Sequence, residues 1–457
     1  MSFPSAPTVE QPVEPSITEP QTAAPGVVIR SGKLRLWGIR SAFSLTDQIL
    51  TSAASFGVNV VLARWMSPEV YGAFAVAFAA FLFISGFYNA LLLEPVSVIG
   101  PSRYPGRLLD YFRDQLAVHT LLVGGLSAII LILAGALWLV APQSAISGAV
   151  VGGGLALPFL LLLWVARRMC YIMERVKTAV FGSSFYFLFV LAGLLALRHF
   201  NLLSPFRAFC LTGLGSLLAA LVLFFMLGLR WRGTPAEVET EWRRTLAENW
   251  HYGRWVVGST LLNSLSTQVQ TVLVAMSLGL GAAGILRAMQ LPMLAMVNAL
   301  GAAGPLVLPS FSRDFGLGRI QQMRHKARMV SLGLGAAELC FVGLLALFTT
   351  PAEHLMFGGK YASYAWMMPV LCFSPVCLAI SMGFAHAMRA SHKPHFDFLA
   401  NVVAAPVAVL SALLLMRHWG VAGAAASMVL ASAVYVLCVI WIYYTQPDLR
   451  RQQGSAR

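Results

Sequence analysis

Charge is scarce in this sequence. Of its 457 residues only 11% are Asp, Glu, Lys or Arg, where soluble domains carry roughly 25%. Hydrophobic residues make up 58%. That much apolar surface cannot be hidden in a soluble chain of this size, so the composition excludes a string of soluble domains, a disordered scaffold and a disulfide-stapled secreted domain. The bilayer is the solvent that suits it. The six cysteines (Cys170, Cys210, Cys340, Cys372, Cys377 and Cys438) never form a CxxC pair, so no metal or redox spacing is present. No Walker A lysine loop, GxSxG or HExxH occurs, so a nucleotide-driven pump would need its nucleotide site on another chain. No cofactor is expected, and the chain is read as a non-enzyme.

Two literal motif matches carry no chemistry. Gly279-Leu-Gly281-Ala-Ala-Gly284 spells GxGxxG, but it lies between two membrane spans and follows no strand, so it is not a dinucleotide site. His386, His392 and His395 gather in one short loop with only Asp397 near as an acidic ligand. That set is too poor for a metal site.

Acidic residues are outnumbered, 18 against 32 Lys and Arg, for a net charge of +14. In a membrane chain this excess is explained by loops held on the cytoplasmic side, so nucleic acid is not expected as a partner. Residues 1–28 hold six prolines, three glutamates and no basic residue. Such a stretch has neither the positive start nor the apolar core of a signal peptide and is expected to be a disordered cytoplasmic tail.

What the sequence does have is long apolar runs of bilayer-spanning length. Twelve are read, at about 41–63, 72–99, 116–140, 146–166, 178–197, 208–229, 254–277, 282–308, 329–349, 365–387, 396–416 and 420–444. In lipid every backbone polar group must be satisfied within its own segment, so each run is a helix. With the N-terminus inside, the alternating inner segments hold 26 of the 32 basic residues and the outer loops five: Arg64, Arg198, Arg207, Lys360 and Arg417. The last, Arg287, falls within span 8. This asymmetry fixes the orientation, with both termini cytoplasmic.

The halves repeat. A polar inner loop, 230–253, separates six spans from six. Span 2 ends in PVSVIGPSR (95–103) and span 8 in PLVLPSFSR (305–313), with the same proline-to-arginine spacing. Both halves start inside, so the repeat is parallel. The organisation expected is a tail over 1–40, an N-lobe over 41–229, the inter-lobe loop over 230–253, a C-lobe over 254–445 and a second tail over 446–457. The fold class is an all-α integral membrane protein, with about 12 transmembrane helices in two parallel six-helix lobes around a central cavity.

Spans 1 and 7 are too polar to face lipid. At 100° per residue, Ser44, Gln48, Thr51, Ser52, Ser55 and Asn59 fall on one arc of span 1, with Asp47 at its edge. Thr260, Asn263, Ser264, Thr267, Gln270 and Thr271 share a face of span 7. Such stripes serve either as helix–helix glue, worth roughly 0.6 kcal/mol per bond, or as the walls of a hydrated cavity between the lobes. Their occurrence on equivalent helices favours the cavity. Asp47, Glu94, Arg287 and Glu338 lie within or near apolar spans, where a charge costs about 2.5–3.5 kcal/mol at the bilayer centre on insertion scales. Glu94 precedes Pro95, which frees a carbonyl and predicts a kink. Arg254, at the inner mouth of the expected cavity, and Arg287 are suited to a diphosphate, because guanidinium groups bind phosphate by paired hydrogen bonds.

The residues also carry a family likeness. Asp47-Gln48, followed by LARWMSPEVYG at 62–72, resembles the first helix and turn of bacterial polysaccharide (O-antigen and exopolysaccharide) flippases. These belong to the multidrug/oligosaccharidyl-lipid/polysaccharide exporter superfamily. Ala283 through Arg287 and Gln290 to Pro309 and Ser312-Arg313 resembles their helix 8, and GVAGAA at 420–425 the opening of their last common helix. The likeness runs from about 35 to 445. It implies a flippase that moves an undecaprenyl-diphosphate-linked oligosaccharide from the cytoplasmic to the periplasmic leaflet of the bacterial inner membrane. It implies polysaccharide, lipopolysaccharide or exopolysaccharide biosynthesis, with glycosyltransferase and polymerase partners. Arg287 matches a basic family position facing the diphosphate, and Arg254 is carried over more loosely. Gln48, Asn59, Asn263 and Gln270 would face the sugars. Asp47 or Glu94 would take a coupling proton or sodium ion. Many members have 14 helices where this chain shows 12, and the proline-rich tail is not a family feature. Two alternatives stay open: a cation-coupled multidrug exporter of the same superfamily, and a membrane glycan polymerase or ligase. The short outer loops disfavour the enzyme, and the hydroxyl and amide stripes disfavour the exporter.

Overall fold

The computed structural model describes residues 31–104, 106–140, 144–229, 235–391 and 395–446. The chain divides into two units, Met1–Ala42 and Phe43–Arg457. Of the first, only the helical residues from Ser31 onward are described. Most of the expected tails and residues 230–234 of the inter-lobe loop lie outside the described residues.

Among the described residues the structure is helical throughout. Helix α1 spans Ser31–Trp65. Ser67 then caps α2 (Pro68–Tyr88), its hydroxyl accepting from the Val70 N–H, with Pro68 at the first position, where a missing N–H costs nothing. A π turn, Asn89–Leu93, links α2 to α3 (Glu94–Arg103). The Glu94 N–H bonds back to the Asn89 carbonyl, one residue further than in an α-helix. Pro95 follows at once, so the kink expected at Glu94–Pro95 is taken up as a π turn.

Helices α4 (Leu108–Val140), α5 (Ala145–Ile172), α6 (Val176–His199) and α7 (Pro205–Leu227) complete the first half. Pro158 interrupts the ladder of α5. The Gly154 carbonyl it leaves bare accepts from Ser127 Oγ of α4 at 2.5 Å, so a proline kink inside the bilayer is satisfied by the neighbouring helix.

The second half begins with α8 (Pro235–Thr267) and α9 (Val269–Leu278), broken at Gln268. It continues with α10 (Leu280–Met289) and α11 (Leu291–Gly316), bent by 48° where Gln290 and Pro292 meet. Then come α12 (Ile320–Leu347), the short α13 (Thr349–Phe357), and α14 (Met367–Leu371) running into α15 (Phe373–Ala390). Finally α16 covers His395–Thr445. At ~1.5 Å per residue its length is far beyond a bilayer. Gly420, at φ 55°, breaks it. A side chain on Gly423 would run into the Leu415 carbonyl, so the chain doubles back into two spans.

Among the described residues, eight helices or helix runs are long and apolar enough to cross a membrane, and the bent α10–α11 pair makes nine. Counting α16 as two gives ten. The remaining two of the twelve expected are α1 and α8–α9, the polar spans 1 and 7. The protein is a multi-pass membrane protein, and its outward faces carry the side chains lipid accepts, among them Ile132, Leu133, Phe225, Leu347 and Trp441.

Candidate functional site

Asp47 lies in α1 with no exposed surface. A carboxylate so placed must be paired and hydrogen-bonded to be tolerable, and three side chains supply this. Arg167 Nη2 of α5 reaches Oδ2 at 2.5 Å. Tyr171, one turn further along α5, donates its hydroxyl to the same oxygen at 2.6 Å. Ser183 Oγ of α6 donates to Oδ1 at 2.5 Å. Arg167 and Tyr171 are i and i+4 on one helix, which is why both meet one carboxylate. Arg167 belonged to the basic end of span 4 and was explained there by orientation alone. Only the pairing of a buried acid with a base three spans away reveals its second role.

Beside this cluster a cleft opens within the first half, bounded by α1, α2, α5, α6 and α7, with about 760 Å³ of empty space counting the part open to the surroundings. Thr51, Ser55 and Asn59 bring the span 1 stripe to its wall, and Ser183, Thr212 and Ser216 add hydroxyls. Aromatic rings complete it, with Phe74 and Phe209 stacked at 4.7 Å and Phe81 edge-on to Trp164 at 6.0 Å. Asn59 is held by its own helix, Nδ2 donating to the Ser55 carbonyl at 2.9 Å. Its Oδ1 accepts from the Tyr71 hydroxyl at 3.3 Å.

Arg287 approaches the same wall from the other half. It sits on α10, 4% exposed, with its guanidinium 5.2 Å from the centre of the Phe78 ring and beside Tyr71. Among the described residues it has no carboxylate partner, and its Nε has no hydrogen bond. A cation–π contact offsets only part of a buried charge. Phe78 therefore has Arg287 over its ring while also lining the cleft.

The other expected site residues are more scattered. Gln48 is on the exposed face of α1. Gln270 of α9 is fully buried, and neither its amide nitrogen nor its oxygen finds a partner among the described residues. The side chain of Asn263 lies outside the described residues. Its neighbours Thr260 and Ser264 face α2 where Gly86 brings that helix close, so this part of the span 7 stripe is packed against the first half. Arg254 is exposed on α8. Glu94 is half-buried, accepts from Asn89 Nδ2 at 3.3 Å and lies in the field of Arg168 of α5 and Arg389 of α15. Of the eight residues, Asp47, Asn59 and Arg287 are thus gathered around one half's cleft, and Gln48, Arg254 and Glu94 are apart from it.

A smaller cleft of about 410 Å³ lies at the expected cytoplasmic end, between α4 and α8, lined by Tyr104, Arg107, Asp110 and Arg244. Burial and the Glu248 carboxylate push the Tyr104 phenol above its ordinary range. Beside it, Gln115 and Asn249 exchange amide hydrogen bonds at 3.2 and 3.0 Å, both side chains buried.

The profile of a family described as "Polysaccharide biosynthesis protein" matches residues 40–315. No match is found among curated proteins. Among solved structures, the lipid II flippase MurJ in an inward closed conformation superposes with a TM-score of 0.66 at 13% identity, over 90% of this chain and 88% of that one. An inward-facing multidrug resistance MATE family transporter of the MOP superfamily gives 0.71 at 13% identity, over 89% and 96%. A MOP superfamily transporter from Pyrococcus furiosus gives 0.54 at 13% identity, over 91% and 94%. At these identities the likeness is one of fold.

Proposed function

The chain belongs to the polysaccharide biosynthesis protein family, within the multidrug/oligosaccharidyl-lipid/polysaccharide exporter superfamily of membrane transporters, and from that premise we propose that it flips an undecaprenyl-diphosphate-linked oligosaccharide from the cytoplasmic to the periplasmic leaflet of the bacterial inner membrane. One observation carries this reading: Arg287, a buried cation with no carboxylate partner among the described residues, adjoins a cleft of hydroxyls and aromatic rings. A guanidinium binds a diphosphate through paired hydrogen bonds. Ser, Thr and Asn side chains match sugar hydroxyls, and aromatic faces match the apolar faces of sugar rings. The lipid tail stays in the bilayer while the head passes between the halves, which rock against each other.

The coupling ion is a proton or sodium. Asp47 has both oxygens engaged by Arg167, Tyr171 and Ser183, whereas Glu94 accepts one bond of 3.3 Å, so Glu94 is the better placed carboxylate. A cation moving inward gains about 2.3 kcal/mol per 100 mV. Glycosyltransferases supply the substrate, and a polymerase receives it.

The test is leaflet transfer of a fluorescent lipid-linked oligosaccharide in proteoliposomes. Wild type should exceed protein-free vesicles, and Arg287→Ala should lower the rate about tenfold, as expected for one lost charge-assisted contact. Transfer no faster than in protein-free vesicles, across a panel of diphosphate-linked glycans, would overturn the proposal.

A further inference from the structure

Basic residues are rare on the side of the membrane assigned to the outside, and two of the five, Arg64 and Lys360, come from opposite halves of the chain. The structure brings them together. Helix α1 ends at Trp65, and its last carbonyls have no partner further along the helix. The Lys360 ammonium, in the turn after α13, supplies them: Nζ donates to the carbonyls of Ala63 at 3.1 Å, Arg64 at 2.6 Å and Met66 at 2.6 Å. An ammonium has three N–H donors and no more, and all three are used on one helix end, where the dipole also favours a cation.

The exchange is returned. Arg64 Nη1 donates at 2.7 Å to the carbonyl of Leu355, which lies in the last turn of α13 and is equally short of a helical partner. Each half therefore caps a helix C-terminus of the other. The turn that presents Lys360 is built for this. Gly358 and Gly359 take φ of 73° and 82°, the buried Glu353 carboxylate accepts from the Tyr361 N–H at 2.8 Å, and the Tyr361 hydroxyl donates to the Ala63 carbonyl at 3.3 Å. Alongside, α2 and α10 cross in backbone contact. A side chain on Gly72 would overlap the Leu280 carbonyl, and one on Gly284 the Pro68 carbonyl.

We propose that Lys360 and Arg64 form a reciprocal latch that holds the two halves together at the outer end and that must open before a substrate can leave on that side. The assignment of this end to the outside rests on the charge asymmetry of the loops, and the exit of a substrate there rests on the transporter reading above. The latch is solvent-exposed, so its strength is modest. It sets the balance between closed and open states and leaves folding to the buried core.

Hydrogen–deuterium exchange of the full-length protein in lipid nanodiscs tests it without any substrate. Lys360→Met should speed exchange roughly fivefold over 60–72 and 278–286, as a contact of ~1 kcal/mol predicts, and Arg64→Met should do the same. Exchange over 108–118 and 245–253, at the opposite end, should not change. Unaltered exchange at the outer segments in both variants would overturn the latch, as would a uniform rise over the whole chain in both. Failure of the flipping assay would leave this result standing, because the readout does not depend on what is carried.

Discussion

At the residue scale the rarity of charge in apolar spans is the informative signal. Asp47, Glu94 and Arg287 stood out because an ionised side chain in lipid must have a reason to be there. What that reason was for Asp47 could not be read, because Arg167 sits beside Arg168 at a basic helix end that orientation already explains. The pairing yields a stability expectation. Arg167→Ala leaves the fully buried Asp47 facing only Tyr171 and Ser183, and breaking one side of a buried pair costs about 3–5 kcal/mol. Arg167→Ala should therefore lose most of its folded, monodisperse yield in detergent. Arg167→Ala combined with Asp47→Asn should recover much of that loss, since no uncompensated charge remains. Fluorescence-detected size-exclusion chromatography with a melting ramp gives both values. A single variant as stable as wild type would show that the pair contributes nothing.

Elements were legible in number and incompletely in shape. Hydropathy alone found the spans, and polar stripes marked α1 and α8–α9 as helices that do not face lipid. The breaks were harder. Span 7 reads as one continuous run, yet the helix stops at Gln268; span 8 bends by 48° at Gln290, where Pro292 was the available sign. A proline leaves its signature in one residue, whereas a break without proline arises from packing that the sequence does not spell out. The kink at Glu94–Pro95 shows the consequence for packing. The π turn turns the Ala90 carbonyl toward α8, and Gly253 seats against it so closely that a Cβ there would lie 2.5 Å from the carbonyl oxygen, inside contact distance. Gly253→Ala should force α8 off this seat, costing about 1–3 kcal/mol as overpacking does. A thermal shift of the purified protein measures it. A melting temperature unchanged from wild type would mean that the close approach is relaxed in solution.

At the scale of the whole molecule, the charge count across alternating loops and the parallel repeat are the basis of the expected topology, because they integrate over the entire chain. The position of the cleft was not legible. A helical arc shows that a face avoids lipid and not which neighbour covers it, so the span 1 stripe, expected to line a space between halves, opens on a cleft inside the first half. The halves meet along α2, where Gly86 packs against Thr260 and Ser264 of α8 and Phe78 lies under Arg287 of α10, and they are also tied at their two ends. The latch of Arg64 and Lys360 and the α2–α10 crossing lie at one end. At the other, α8 is tied through Glu248 and Asn249 to α3 and α4, by Gln115–Asn249 and by Arg103–Glu248 at 3.3 Å. These contacts are made by side chains already positioned within each half, so covalent continuity through 230–234 should not be needed for assembly. Residues 1–229 and 230–457, expressed as separate chains in one cell, should therefore copurify through a tag on either. Gln115→Leu with Asn249→Leu removes both amides together, costing only the bond of Gln115 Nε2 to the Tyr111 hydroxyl at 2.8 Å, and should largely preserve the complex, whereas Asn249→Leu alone strands the buried Gln115 amide oxygen, at a cost of about 1–3 kcal/mol, and should weaken recovery of the partner chain. Quantitative blotting of the eluate distinguishes the cases. If both fragments insert in the membrane and still fail to copurify, the linker itself holds the halves in register, and the contacts at the two ends are consequences of its tether.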